Sequence, residues 1–348
     1  MQLSISRLLI FLLLPLTSHA AEADLPVKDK SWTFTFRFEN DLFANTDRNY
    51  TNGIKVSWIS PDLTRFRDSE QLPAWAKQLV AKLPFSRVPD LQRNISFSIG
   101  QNIYTPDDIA ARNLITDDRP YAGWLYGSVA FHNKDYRHLD TIEIQAGIVG
   151  PWSLAEQAQN FVHHVRGIPE ANGWDNQIKN EPGLNLIYEH KDRILRPPAT
   201  QGFGYDLITH YGGAVGNIFT YANIGAEARI GWNIPTDFGT SLIRPGGDTN
   251  APSDTKDPRY LRSKHGFSVH AFGAITGRAV LRDIFLDGNS FRDSYSVDKN
   301  NFVGDVILGV SVIYGRLKLS YAQVLRSKEF KLQKTGHDFG SVTLSYTY

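Results

Sequence analysis

Hydrophobic and polar side chains alternate along most of the chain. Trp32, Phe34, Phe36 and Phe38 occupy every second position, with Thr33, Thr35, Arg37 and Glu39 between them, the two-residue period of a strand with one apolar face. The same period recurs at Ile54/Val56/Trp58, Ile95/Phe97/Ile99, Leu125/Val129/Phe131 and Ile142/Ile144/Ile148. It continues through Leu184/Leu186/Tyr188, Ile224 to Trp232, Val306 to Tyr314 and Leu317/Leu319/Tyr321. The opposite faces carry Lys55, Ser96, Ser98, Glu143, Gln145, Asn185, Glu227, Arg229, Asp305, Lys318 and Ser320. Charge on one face and aliphatic or aromatic groups on the other suit lipid outside a barrel and a polar lumen inside it.

A soluble β-sandwich would alternate as well, but two features favour the barrel. The chain stops on Val342 to Tyr348, an amphipathic strand with an aromatic end, as outer-membrane barrels do. Aromatic residues also mark other strand ends (Trp32, Trp58, Tyr188, Trp232, Tyr314), where interfacial girdles form. Thirteen segments read as strands, whereas single-chain bacterial barrels carry even numbers. Ala279 to Phe285 alternates worst and is assigned to a loop. The expectation is an all-β, transmembrane antiparallel barrel of twelve strands.

Strand parity places the connections Asn40 to Asn49, Asn102 to Tyr121 and Gly150 to Pro182 on one rim, the extracellular one. Two long connections fall on the periplasmic side: Pro61 to Arg93, with an amphipathic helix over Ala74 to Leu83, and Asn233 to His265, whose Pro, Gly and Asp content suggests mobility. Arg7, the apolar run Leu8 to Leu14 and Ser18-His19-Ala20 read as a signal peptide over residues 1–20, leaving a single barrel domain over 21–348. Removing Arg7 leaves 36 basic and 36 acidic side chains, which gives no electrostatic reason to expect a nucleic-acid partner. The absence of cysteine excludes disulfides and thiolate metal sites. A mean hydropathy of −0.31 and no apolar run beyond nine residues exclude membrane-spanning helices but not strands.

The most informative loop runs from Gly150 to Gly167. Ser153 and Glu156 have the spacing of a capping box and Gly167 that of a helix stop, so a short extracellular helix is expected between them. Glu156, Gln159 and His163 then share a face, while Ala158, Phe161, Val162 and Val165 make the other sides mostly apolar. A histidine with an amide one turn back suits general-base work near neutral pH, although a solvated loop histidine would look the same. Glu39-Asn40-Asp41 and Asp47 to Gly53 cluster side-chain oxygens that suit a hard cation, or equally an Asx-rich turn. No Gly-x-Ser-x-Gly elbow or His-Glu-x-x-His run is present, which speaks against serine-hydrolase and zinc-peptidase chemistry.

These segments, with Gly100 to Pro106, Asp118 to Trp124, Gly173 to Gln177 and Gly216-Asn217 to Asp237-Phe238-Gly239, resemble the outer-membrane lipid A deacylase family along the whole mature chain. The resemblance implies a twelve-stranded barrel that removes the 3′-linked acyloxyacyl group of lipid A in a calcium-dependent reaction. It implies catalytic roles for Asn40, Asp41, Gln159 and His163, with His163 oriented by Gln159 and calcium held at Asn40 and Asp41 with help from Glu39. Gln101, Arg119, Tyr121 and Thr51 are the candidate substrate contacts, Thr51 and Asp41 having inward parity on neighbouring strands. The family's site lysine has no counterpart; Gln101 and Asn102 occupy the corresponding stretch. The expected partners are lipopolysaccharide and the outer membrane, the expected state a monomer. A porin with a constriction of Lys55, Glu143, Glu227, Arg229 and Lys318, or a structural barrel without activity, are the alternatives.

Overall fold

A computed structural model describes residues 31–41, 49–63, 74, 91–195, 202–243, 251–253, 257–259 and 266–348. The strands are β1 (Thr33–Asn40), β2 (Asn49–Ile59), β3 (Gln92–Thr105), β4 (Ala122–Lys134), β5 (His138–Val149) and β6 (Glu181–Leu195). They continue as β7 (Phe203–Gly216), β8 (Phe219–Trp232), β9 (Phe267–Asp283), β10 (Phe302–Tyr314), β11 (Leu317–Arg326) and β12 (His337–Thr347). All pair antiparallel with their sequence neighbours, and β1 closes on β12 from Thr33↔Thr347 to Asn40↔Gly340. Closure leaves no strand edge exposed, which a bilayer demands of a spanning sheet. No helix among the described residues is long and apolar enough to cross a membrane.

The twelve-strand count is as expected, but the segment assigned to a loop is structured. Residues 279–283 complete β9, the longest strand, and a one-turn helix, α2 (Ile284–Asp287), follows. Its alternation fades because Ile284, Phe285 and Leu286 turn into the barrel mouth and are almost fully buried there. Asp283 caps the turn by accepting from the Phe285 backbone N–H at 3.1 Å. The predicted signal segment and all of the predicted 74–83 helix except Ala74 lie outside the described residues.

Two layers fill the lumen. Toward the mouth it is apolar: Tyr50, Tyr104, Trp124, Tyr126, Ile187, Phe219, Tyr221 and Phe285 form one buried cluster, with Tyr104 stacked on Phe285 at 4.2 Å. Below, the described parts of the connection after β8 (233–243, 251–253 and 257–259) fold back into the barrel, where the sequence suggested mobility. Asp237 accepts from Lys318 (2.6 Å), Arg229 (2.6 Å) and Arg259 (3.1 Å), while Arg193 donates to its backbone carbonyl at 2.6 Å. Arg37 donates to Ser241 (3.0 Å), and Glu39 accepts from the Ile243 backbone N–H (2.8 Å). These partners come from β1, β6, β8 and β11, so the segment is a plug gripped from all sides. Asp237 and Asp257 supply the partners that the inward-facing arginines and lysines, with their buried charges, need.

Candidate functional site

The site lies outside the barrel wall. Phe97 and Ile99 are half-exposed on the outer face of β3, and the two-residue period puts Gln101, Ile103 and Thr105 on the same face. Yet Ile103 and Thr105 are buried, because the β5–β6 connection packs over them. That connection contains a 3-10 turn (Pro151–Ser153), the helix α1 (Ala155–Arg166) and a second 3-10 turn (Trp174–Asn176). Ile103, Tyr121, Ala155, Ala171 and Trp174 form the apolar seam beneath it. Gly123 on β4 makes the close approach possible: a Cβ there would lie 2.0 Å from Ser153 Oγ and 2.3 Å from Ala155 Cβ.

The helix starts differently from the capping-box expectation. Leu154 is the N-cap residue, in a left-handed conformation with φ 59°, and no side chain caps the helix; Ser153 is held one residue earlier in the 3-10 turn. Gly167 does end the helix, at φ 67°. The polar face turns inward, with Ala155, Gln159 and His163 buried, whereas Trp152, Leu154, Phe161 and Val165 are 53–70% exposed. Gln157, His164 and Arg166 are exposed as well, so large apolar groups and polar ones share the outward side, a mixture that suits the membrane interface.

His163 Nδ1 donates to the Pro169 carbonyl at 2.6 Å. A carbonyl can only accept, so this bond puts the proton on Nδ1 and the lone pair of a neutral ring on Nε2. Pro169 thus takes part in orienting His163, for which the sequence pointed to Gln159. Gln159 Oε1 instead accepts from Trp174 Nε1 at 2.9 Å, and Gln159 Nε2, buried, has no hydrogen-bond partner among the described residues. An orphaned buried amide donor costs about 1–3 kcal/mol and calls for an external acceptor.

Asn40 reaches the same outer face. It continues the outward parity of Phe34, Phe36 and Phe38, yet is buried. In register, Asn40 pairs with Asn52 and Asn52 with Ile103, so two strand spacings, roughly 10 Å, separate it from the wall beneath α1. A bulge at Tyr50/Asn52 reverses the expected inward parity of Thr51. Its hydroxyl meets that of Thr105 at 2.6 Å on the outer face, while Tyr50 turns into the lumen. Asp41, fully buried, directly follows β1. Asn40, Asp41, Thr51 and Thr105 offer oxygen donors, with Asn49 Oδ1 a further buried oxygen that has no hydrogen-bond partner among the described residues. An all-oxygen set of this kind fits a hard cation such as calcium.

Other candidates lie elsewhere. Glu39 points into the lumen, its carboxylate accepting from Tyr50 OH (2.8 Å), Ile243 N (2.8 Å) and Ser341 Oγ (3.4 Å), so the barrel wall separates it from Asn40. Arg119 is buried at the mouth, donating to Glu329 at 3.2 Å and lying 4.8 Å above the Tyr104 ring. It ties the β3–β4 connection to the one after β11. Gln101 holds the site, donating to the Ser153 carbonyl at 2.7 Å, and Tyr121 packs on Trp174 with ring centres 4.8 Å apart. Sequence reasoning missed Pro169, and it placed Trp174 only within a family-like segment without a role; both lie in the loop after α1, and no local pattern marks either as a hydrogen-bond partner of the helix.

The family described as outer membrane protein LpxR matches residues 8–348. The chain belongs to the LpxR family. This is the outer-membrane deacylase family that its motifs resemble, and it places the barrel in the outer membrane. Among solved structures, LpxR from Salmonella typhimurium is similar with a TM-score of 0.70 at 18% identity, covering 91% of this chain and 100% of that one. The shared LpxR fold is the twelve-stranded closed barrel with a short helix in a loop. The translocator domain of the autotransporter NalP from Neisseria meningitidis covers 91% of this chain and 87% of its own at 9% identity and a TM-score of 0.33. No curated protein sequence matches the chain.

Proposed function

We propose that this LpxR-family barrel is a lipid A deacylase that hydrolyses the ester of the 3′-linked acyloxyacyl group, with His163 as general base. The observation that carries the reading is the pair Gln159 and His163, buried against the outer barrel wall by a helix that exposes Phe161 and Val165 beside the exposed Trp152 and Leu154. An ester at the head-group level of a membrane lipid reaches this cleft sideways, with its acyl chains on the apolar exterior. A water-soluble ester has no use for those apolar groups.

In the reaction, His163 Nε2 takes a proton from water as its oxygen attacks the acyl carbonyl. The Gln159 Nε2 donor is the group available to the oxyanion that develops. The imidazolium, stabilised through Nδ1 by the Pro169 carbonyl, then returns the proton to the departing sugar oxygen. The products are a free acyloxyacyl acid and a lipid A hydroxyl, so atoms balance with one water consumed. Asn40, Asp41 and Thr51 would hold calcium, which when bound supplies Lewis-acid polarisation of a carbonyl.

The porin reading is disfavoured by the filled lumen, where Lys55 lies 3.6 Å from Glu143 and Arg229 and Lys318 bind the plug through Asp237. Mass spectrometry of lipid A treated with purified protein in detergent and calcium tests the proposal. The wild type should release the acyloxyacyl mass and His163→Ala should be slower by about 10²–10⁴-fold, the usual worth of a general base. Unchanged deacylation by His163→Ala refutes the assignment.

A further inference from the structure

Four polar side chains converge on the outer surface at the opposite end of the barrel, on the rim that carries the termini. His138 and Asp140 belong to β5, His190 and Asp192 to β6, and the register pairs His138 with Asp192 and Asp140 with His190. They share the parity of Ile144, Leu186 and Tyr188, which are exposed, so all four face away from the lumen. Charged groups on this face of a membrane barrel are disfavoured, and two carboxylates beside two imidazoles need a reason.

The contacts supply one. His190 Nδ1 bonds Asp140 Oδ1 at 2.7 Å, and Tyr188 OH donates to the same oxygen at 2.7 Å. With Asp140 holding the Nδ1 proton, the lone pair of His190 is on Nε2, which lies 3.1 Å from Asp192 Oδ2. The other Asp192 oxygen contacts His138 Nδ1. We infer that His138, His190 and Asp192 form a binding site for a divalent transition-metal ion of the zinc class, with Asp140 as the carboxylate that orients His190.

Three arguments support the assignment. Two imidazole nitrogens with one carboxylate oxygen is a donor set for zinc-type ions, whereas calcium and magnesium require oxygen throughout. The spacing is right: ligands about 2.0–2.1 Å from a tetrahedral ion lie about 3.3 Å from one another. The three donor atoms already sit within 4.8 Å of one another, the one such group of His, Asp or Glu side chains among the described residues. The carboxylate behind His190, itself anchored by Tyr188, is the outer-shell arrangement that metal-bound histidines use to fix their tautomer. His138 and Asp192 are 49% and 34% exposed, so an ion can enter and a water or lipid phosphate oxygen can complete the fourth position. β5 spans 12 residues, roughly 40 Å of strand, between this cluster and the connection carrying α1, which makes the site distinct from the deacylase cleft.

The test is metal binding to the full-length barrel, stripped with EDTA and held in detergent with millimolar calcium to occupy oxygen sites. Equilibrium dialysis against zinc should give one tightly bound ion per chain, and cobalt should give the intense visible absorption of a tetrahedral site. His190→Ala and His138→Ala should each weaken binding at least 100-fold, and Asp140→Asn by about 10–100-fold. His164→Ala, on the exposed side of α1, should bind as the wild type does. Heat-modifiable gel mobility shows that each variant remains a folded barrel. No bound zinc, or binding that survives His190→Ala, overturns the assignment.

Discussion

Trp174→Phe isolates a bond that holds the Gln159 amide, the oxyanion donor of the proposed reaction. The substitution keeps an aromatic ring against Tyr121 and removes only the indole N–H that donates to Gln159 Oε1 at 2.9 Å, at a site where Trp174 is 2% exposed. Losing a neutral buried hydrogen bond costs about 1 kcal/mol, and a buried acceptor left unpaired costs about 1–3 kcal/mol. The amide recovers part of that by turning to another partner, which moves Nε2 away from the reacting carbonyl. Complete loss of an oxyanion donor costs about 10²–10³-fold in kcat, so misplacing one should cost about 10–100-fold, with KM little changed. The assay is the initial rate of lipid A deacylation in mixed micelles at saturating calcium, for wild type, Trp174→Phe, Gln159→Ala and the double variant. If Trp174 acts through Gln159, its substitution adds nothing once Gln159 is alanine. Equal slowing by Trp174→Phe in both backgrounds would refute the positioning role.

Further outcomes follow from the same geometry. Gly123→Val places a side chain where Ser153 and Ala155 now lie, so it should lift α1 off the wall, abolish deacylation and expose the 150–180 segment to trypsin while the barrel's heat-modifiable mobility is kept. Asp237→Ala removes the carboxylate shared by Lys318, Arg229 and Arg259, of which Arg229 keeps Asp206 and Arg259 keeps Asp257; breaking such a buried pair costs about 3–5 kcal/mol and should raise single-channel conductance in planar bilayers as the plug loosens. Burial by itself would raise the Asp237 carboxyl, but Lys318, Arg229 and Arg259 hold it far below the usual carboxylate range. A depressed native value contributes stability above the unfolded value that is lost only as pH falls through the native one. The difference in conductance between wild type and Asp237→Ala should therefore persist from about pH 7 to about pH 4, the ordinary carboxylate range; its disappearance within that window would contradict the ion-pair account.

Much of this protein is written in its two-residue period. Because each side chain on a strand alternates strictly between faces, the positions of Phe34 to Phe38 or Val306 to Tyr314 announce lipid on one side, and the even strand count follows from the common rim of the termini. The helix and its chemistry were visible for a similar reason: Gln159 and His163 are one turn apart, so local geometry alone puts them together. Where a rule of local parity breaks, the sequence is silent or misleading. The bulge at Tyr50/Asn52 sends Thr51 outward, and the left-handed Leu154 replaces Ser153 as the start of α1. Neither leaves a period that can be read.

The remaining decisions belong to long-range packing. Whether the 233–243 segment dangles or fills the lumen depends on Arg229, Lys318 and Arg193 meeting Asp237 across the barrel, contacts between residues up to 81 positions apart. The same is true of Glu39 and Asn40, neighbours in sequence that closure puts on opposite sides of a wall, and of Pro169 and Trp174, which define the states of His163 and Gln159 only once the loop folds over β3 and β4. The sequence by itself determined the barrel, its rims and the one-turn spacing of Gln159 and His163, because those rest on periodicities of two and 3.6 residues. The tertiary structure alone decided which groups face each other, because a buried donor or charge takes its partner from whichever strand closure brings near.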